Sequence, residues 1–316
     1  MLKPWSQAYH DLEWLIRSPF LLDACHPHFR DYVLDAEWAH EMQIRSEPLL
    51  RSLGEDPTPL EYWLTRQAIH RLGHYFEHLM GFWLHHLPDI QDLQQRLPIR
   101  EAGRTLGELD VLYRDQRRQT VFHLELAVKY YLQIAGGRAV PEDFVGPHAI
   151  DRLSLKIHRL LHHQLPLAHV PAAWDARLPA WRQHTLVSRA FVKGGLFFPL
   201  ADWMRDAHTK RLALPPGCQT PQGWWMRASD CIPAALDRLE GDRWLVLPRL
   251  RWLSHFQGPL PGDMLMSASQ FCSEPSVSAL SRAILVVGCR PQESRWTEVT
   301  RGFIVPDQWP HTDAQA

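Results

Sequence analysis

Asp110, Glu125 and Lys129 fall inside the stretch "GELDVLYRDQRRQTVFHLELAVKYYL", residues 107–132. Most of that stretch is two apolar runs joined by the polar turn "DQRRQ". Charge inside an apolar strand is costly unless something compensates it. Strand side chains alternate between faces. In the second run Phe122, Leu124, Leu126, Val128 and Tyr130 share one face, and His123, Glu125, Ala127, Lys129 and Tyr131 share the other. In the first run Leu109, Val111 and Tyr113 oppose Glu108, Asp110 and Leu112. If the two strands pair, Asp110 and Glu125 converge.

Converging carboxylates repel one another until a proton or a cation neutralises them. Hard oxygen donors of this kind suit Mg²⁺, or Mn²⁺ in its place, held by one or two carboxylates with water and phosphate in the remaining positions. Such a metal lowers the pKa of a bound water and offsets charge on a phosphate. A lysine beside it would orient the water or the scissile phosphate. The same pattern also describes an antiparallel hairpin with one solvated, charged face.

The elements that must position these groups are legible nearby. "QAYHDLEWLIRSP" and "RDYVLDAEWAHEM" read as short amphipathic helices within a helical lead-in, residues 1–55. "TPLEYWLTRQAIHRLGHYFEHLMGFWLHHL" reads as one long helix, with Thr58 as N-cap, Pro59 at the first helical position and Leu64, Ala68, Leu72, Phe76, Leu79 and Trp83 at helical spacing. "LPIRE" (97–101) is a short strand, "GRTLG" a turn, and "ELDVLYR" and "TVFHLELAVKYYL" are strands. A helix is expected after Pro147 in "GPHAIDRLSLKIHRLLHHQL", then a strand over 184–198 interrupted by Gly194-Gly195. The order over residues 56–200 is helix–strand–strand–strand–helix–strand. From 201 to 316 the texture is mixed α+β, with a loop-rich "LPPGCQTPQGWWMR" and short strands in "RWLVLPRLRWL", "AILVVGC" and "RGFIVP".

An acid on one strand, then an acid and a lysine on the next, is similar to the PD-(D/E)XK nuclease superfamily, the restriction-endonuclease-like α/β (α+β) fold. The element order agrees with its core. More closely, the chain resembles the bacterial family DUF1853, through "GELDVLYRD", "HLELAVKYYL", "GPHAIDRLSLKIHRLLHHQLPL", "KGGLFFP", "GWWMR" and "RGFIVP". The superfamily resemblance implies a metal-dependent nuclease acting on DNA or RNA. It implies Asp110 and Glu125 as metal-holding acids and Glu77, on the preceding helix, as an auxiliary acid; Glu108 and Gln133 are further polar candidates. The lysine departs from the pattern. The superfamily places it two residues after the second acid, where this chain has Ala127. Lys129 lies on the same face but about 13 Å along the strand from Glu125, rather than about 7 Å. Lys156, on the following helix, is the other candidate. A catalytically silent member that binds nucleic acid or a protein is the alternative this departure raises.

Other constellations compete. "HYFEH" (74–78) matches H-x-x-E-H, with His74 and His78 one helical turn apart and Glu77 as a base, the pattern of a zinc protease. With 19 His in 316 residues, about one His pair at that spacing is expected by chance. Arg152 and Lys156 could line a phosphate groove, or belong with Asp151 to a solvated helix start. Trp224 and Trp225 in "GWW" offer stacking surface for unpaired bases, or fill a core. Neither Gly136-Gly137 nor Gly194-Gly195 has a phosphate-loop context, and there is no GxxxxGK[ST], GxGxxG or GxSxG.

Bulk composition narrows the class without choosing within it. Hydrophobic residues are 45% and charged residues 22%, enough for a sizeable core, with a net charge of -1. No overall basic footprint marks a nucleic-acid binder, although a locally basic groove suffices for a nuclease. The five cysteines (Cys25, Cys218, Cys231, Cys272 and Cys289) form no CxxC pair, which argues against a zinc ribbon or disulfide framework and for a reducing, cytoplasmic setting. Asp11, Glu13 and Arg17 interrupt the apolar N-terminal stretch, so no signal peptide is expected there. No apolar run is long enough to cross a bilayer.

Overall fold

The computed structural model describes residues 6–134, 136, 139–206, 214–215, 217–218, 221–258, 264–292 and 295–310. Gly137, Pro216, Gln219 and Thr220 lie outside the described residues. The chain is a mixed α/β protein. It runs α1 (Gln7–Arg17), α2 (Ala36–Glu55), α3 (Thr58–Thr65), α4 (Leu72–His85), β1 (Ile90–Glu101), β2 (Arg104–Asp115), β3 (Thr120–Gln133) and a two-residue β4 (Phe144–Val145). Then come α5 (Leu153–Arg159), a π-helical turn (Leu160–Gln164), α6 (Leu165–Leu167), α7 (Pro171–Ala176) and β5 (Thr185–Pro199). The remainder is α8 (Leu200–Asp206), β6 (Pro221–Arg227), α9 (Pro233–Leu236), β7 (Arg243–Leu247), β8 (Gln257–Gly258), α10 (Ala268–Ser273), α11 (Pro275–Ser278), β9 (Ile284–Gln292) and β10 (Arg295–Val305). No described helix is long and apolar enough to cross a membrane.

The fold divides into two compact units. Unit 1 comprises Met1–Val128, Leu155–Lys193 and Gly217–Gln219; unit 2 comprises Lys129–Ser154, Gly194–Pro216 and Thr220–Ala316. The chain therefore passes from one unit to the other inside β3 and again inside β5.

In unit 1 the strand order is β1-β2-β3-β5. β1 and β2 form an antiparallel hairpin. Its turn residues Ala102 and Gly103 both have positive φ, 47° and 79°, the backbone twist that suits a two-residue hairpin loop. β2 pairs antiparallel with β3 in the register Val111↔Leu124 to Asp115↔Thr120. Tyr113 stacks on its partner Phe122 with ring centroids 5.4 Å apart. Ile99, Leu109, Leu112 and Val121 pack with Ala168, Ala173 and Trp181. A second apolar group brings Trp38 of α2, Trp83 of α4 and Phe191 of β5 together, with ring centroids 6.2 Å apart.

Several elements depart from the sequence expectation. The helix expected over 58–87 is two helices, broken at 66–71 where there is neither Gly nor Pro. Packing makes the break: Trp63 folds back onto α4, where its Nε1 donates to the His78 carbonyl at 3.2 Å. Thr58 is the first helical residue rather than the cap, which is Pro57. α2 is a single 20-residue helix running through Pro48. Strand β1 spans 12 residues rather than "LPIRE" alone. Helix α5 starts at Leu153, six residues after Pro147. β5 runs unbroken through Gly194-Gly195 rather than being interrupted there, and the glycine at 194 has a steric cause: its φ is +128°, and a Cβ there would sit 1.7 Å from the Lys129 carbonyl oxygen.

In unit 2 the order is β5-β6-β10-β9-β7, with β4 on β3 and β8 on β10. β6 takes up the second half of the stretch expected to be loop-rich. Trp224 and Trp225 in it are buried. They are core residues and present no stacking surface. Trp224 packs against Trp244, Phe271, Val286 and Ile304.

Candidate active site

Asp110 and Glu125 are both in unit 1, on neighbouring strands, close enough for the Asp110 charge to act on the Glu125 carboxyl. The β2–β3 ladder stops at Val111↔Leu124. One step further, the Asp110 carboxylate Oδ2 accepts the backbone N–H of Leu126 at 2.8 Å. A side chain thus supplies the acceptor where the ladder opens. Residues 121–127 of β3 are buried without a break, as in a strand covered on both faces. The face carrying Glu125 is therefore not a solvated one, and Glu125 is only 3% exposed.

Burial, then the Asp110 charge, pushes the Glu125 carboxyl well above its ordinary range. Burial also raises Asp110, against the lowering effect of the Leu126 N–H. Two groups from the following helical run oppose this. Gln164 Nε2 donates to Glu125 Oε1, and Lys156 Nζ donates to Gln164 Oε1 at 2.9 Å. The Lys156 charge favours the ionised form of both acids. Gln164 closes the π-helical turn, in which the Leu165 N–H reaches five residues back to Leu160. Such a turn often marks a functional position.

Behind Glu125 lies His123, fully buried and held neutral, its pKa pushed down to about 3 by burial. Ser188 Oγ donates to the Leu165 carbonyl at 3.2 Å, so it accepts from His123 Nδ1 at 2.6 Å. That fixes the imidazole proton on Nδ1 and leaves a lone pair on Nε2. Nε2 has no hydrogen-bond partner and lies 4.0 Å from Glu125 Oε2. Two acceptors face each other there unless Oε2 carries a proton.

Glu77, half-buried on α4, is raised by burial and then by Asp110. Glu108 is ion-paired with Arg96 at 3.1 Å on the exposed side of β2. The other sequence candidates belong to unit 2. Lys129 Nζ lies 2.6 Å from Asp151 Oδ2, which also accepts the Tyr131 hydroxyl at 3.3 Å. Gln133 gives its backbone carbonyl to Trp225 Nε1 at 2.8 Å. Arg152 donates to the Glu142 carbonyl at 3.2 Å. Gln164, His123 and Ser188 were not singled out by sequence. His123 stands on the same strand face as Glu125, and Gln164 is the polar residue that follows two histidines; neither pattern signals a role by itself.

The donor set of Asp110 and Glu125 fits Mg²⁺, which takes one or two carboxylates and keeps several waters. Among the described residues no three His, Cys, Asp or Glu side chains form a metal-sized group. His74 and His78 of α4 thus have no third partner of those types there, as a zinc centre requires.

The chain matches the family DUF1853, described as a domain of unknown function, over residues 10–305. It belongs to the DUF1853 family. No curated protein and no solved structure matches it. Membership in DUF1853 covers both units, so the carboxylate pair and the lysine–glutamine bridge lie within the family's extent.

Proposed function

We propose that this DUF1853 protein is a metal-dependent phosphodiesterase of the PD-(D/E)XK type, hydrolysing phosphodiester bonds of DNA or RNA, with α4, β1–β3, α5 and β5 as a restriction-endonuclease-like core. The observation that carries the reading is the pair of acids where the strand ladder opens, Glu125 buried and Asp110 half-buried beside it. A proton or a cation must neutralise such a pair, and a bound Mg²⁺ would supply an activated water and offset phosphate charge. Lys156 takes the lysine's role. Its ammonium donates to Gln164 Oε1 and can pass such a hydrogen bond to a phosphate oxygen. Glu77 is an auxiliary acid, and neutral His123 lies behind Glu125, 4.0 Å from its Oε2.

The test is calorimetric titration of Mg²⁺ and Mn²⁺ into the parent, Asp110→Asn and Glu125→Gln, with cleavage of labelled DNA and RNA in parallel. Each substitution is expected to lower affinity at least tenfold and to abolish metal-stimulated cleavage. Equal affinities in all three proteins sink the site.

A second reading is favoured by Lys129, whose ammonium is held by Asp151, together with Ala127 at the usual lysine position. In that reading the protein binds nucleic acid or a protein partner and cleaves nothing. Nucleic-acid binding with no cleavage of any form, in either metal, selects it.

A further inference from the structure

The helix break at 66–71 opens a cleft between α3 and α4, wholly within unit 1, with a volume of about 490 Å³. Its floor is Phe82, 1% exposed. Trp63 stands against Phe82 with ring centroids 5.8 Å apart, and its Nε1 bond to the His78 carbonyl fixes the ring plane. His85 and His86 follow at 5.6 and 6.4 Å from the Trp63 ring. At the mouth Tyr62 is 60% exposed. Arg66 lies 5.6 Å over the Tyr62 ring and donates to its hydroxyl at 3.2 Å. Among the described residues no acidic side chain lines the cleft.

Flat aromatic walls accept a planar ring, and every heterocyclic base has a face that can stack on them. An arginine at the mouth without a neighbouring acid in the lining selects an anion beside that ring. An aliphatic peptide would use neither feature. A base inside a duplex has its faces covered by its neighbours, so the ring must come from an unpaired strand.

We infer that this cleft binds an unpaired nucleobase of a single-stranded nucleic acid, stacked on Trp63 and Tyr62, with its backbone phosphate on Arg66. The inference rests on the reading that the chain acts on nucleic acid, and it names the substrate form. α4 joins the two places: Glu77 and His85 are eight residues apart, about 12 Å along the helix, a span that an extended strand covers in a few nucleotides.

The experiment is fluorescence anisotropy in EDTA, with a short labelled oligothymidylate and a blunt duplex of equal length as probes. The parent is expected to bind the single strand at least tenfold more tightly than the duplex. Tyr62→Ala and Arg66→Ala change exposed residues, so the fold is retained. Each is expected to weaken strand binding roughly tenfold, with Tyr62→Phe restoring it. Arg66→Ala should also flatten the dependence of log affinity on log salt by about 0.7. Equal affinity for strand and duplex, or variants that bind like the parent, overturns the inference. So does thymidine monophosphate competing at the same concentration as the oligomer, since the cleft would then be a mononucleotide site. The two readings fail separately. Strand binding in EDTA without cleavage in Mg²⁺ removes the phosphodiesterase and keeps the cleft. Duplex cleavage, with no strand preference and no effect of Tyr62→Ala, does the reverse.

Discussion

The Asp110 carboxylate does the work of a backbone carbonyl, accepting the Leu126 N–H at 2.8 Å one step beyond the last paired residues of β2 and β3. One side chain therefore has two duties. It closes the end of a strand pairing, and it sets a negative charge beside Glu125. The duties separate on substitution. Asp110→Asn keeps an acceptor oxygen and removes the charge, whereas Asp110→Leu removes both. In denaturant unfolding the Asn variant should match or exceed the parent. The Leu variant should lose about 1–2 kcal/mol, because a buried N–H is left without a partner. Under the proposed function both should lose Mg²⁺ affinity. An Asn variant less stable than the Leu variant contradicts the acceptor role.

Glu125 gives the pH dependence its sign. Its folded pKa is raised above the ordinary 4.5, first by burial and then by Asp110. Over the interval from 4.5 to the raised value, the folded state holds a proton that the unfolded state has released. The stability contributed is thus complete below 4.5 and is lost as pH rises through the folded pKa. Without divalent cation, the thermal midpoint of the parent relative to Glu125→Gln should fall as pH rises from 5 upward. Under the proposed function, Mg²⁺ should restore more stability at higher pH, because binding must displace the proton. A parent-minus-variant difference that is flat with pH would falsify the assignment.

Much of this arrangement was legible in the sequence, and the reason it stops is physical. Alternation in "ELDVLYR" and "TVFHLELAVKYYL" identifies β2 and β3 because a strand repeats every two residues, a local property. What alternation does not reveal is whether the second face meets solvent or protein. Glu125 is enclosed because the strand has cover on both faces. Gln164 reaches Glu125 through a π-turn, and His123 is oriented by Ser188, 65 residues away. Both depend on distant packing. Helical spacing likewise continues smoothly across 66–71, but Trp63 finds a partner on α4 and the helix breaks. Lys129 shares a strand face with Glu125, yet its long side chain settles on Asp151.

The two lysines should behave differently under the proposed function. Lys156 is linked through Gln164 to Glu125, and its charge acts on both acids. Lys129 is half-exposed and paired with Asp151 at 2.6 Å. Lys156→Met should lower the cleavage rate about a hundredfold or more, the usual scale for losing a group that stabilises developing charge. Lys129→Met should leave the rate within about threefold and change stability by less than about 1 kcal/mol, as expected for an exposed pair. The opposite ranking, measured in single-turnover cleavage, would return the catalytic lysine to β3.

Lys193 of β5 is 1% exposed, with its ammonium donating to the Ser18 carbonyl and lying 4.2 Å from the Phe20 ring centroid and 5.1 Å from that of Phe191. No carboxylate is paired with it among the described residues. Burial pulls its pKa from 10.5 down to about 7. Between those values the unfolded chain keeps the lysine proton and the folded chain does not, so this group makes stability rise with pH. Below pH 7 the folded state carries a buried charge held, among the described residues, by one carbonyl and two ring faces. Lys193→Met replaces it with a side chain of similar length and no charge. The variant should be more stable than the parent at pH 6 by about 1–3 kcal/mol, within the range seen when a buried ionic group gives way to a packed apolar one. The advantage should shrink as pH approaches 10. Other groups titrate in the same interval, but they are common to both proteins and cancel in the difference. Denaturant unfolding at pH 6, 8 and 9.5 measures that difference directly, and a gap that does not narrow means the Lys193 ammonium keeps its proton inside the fold.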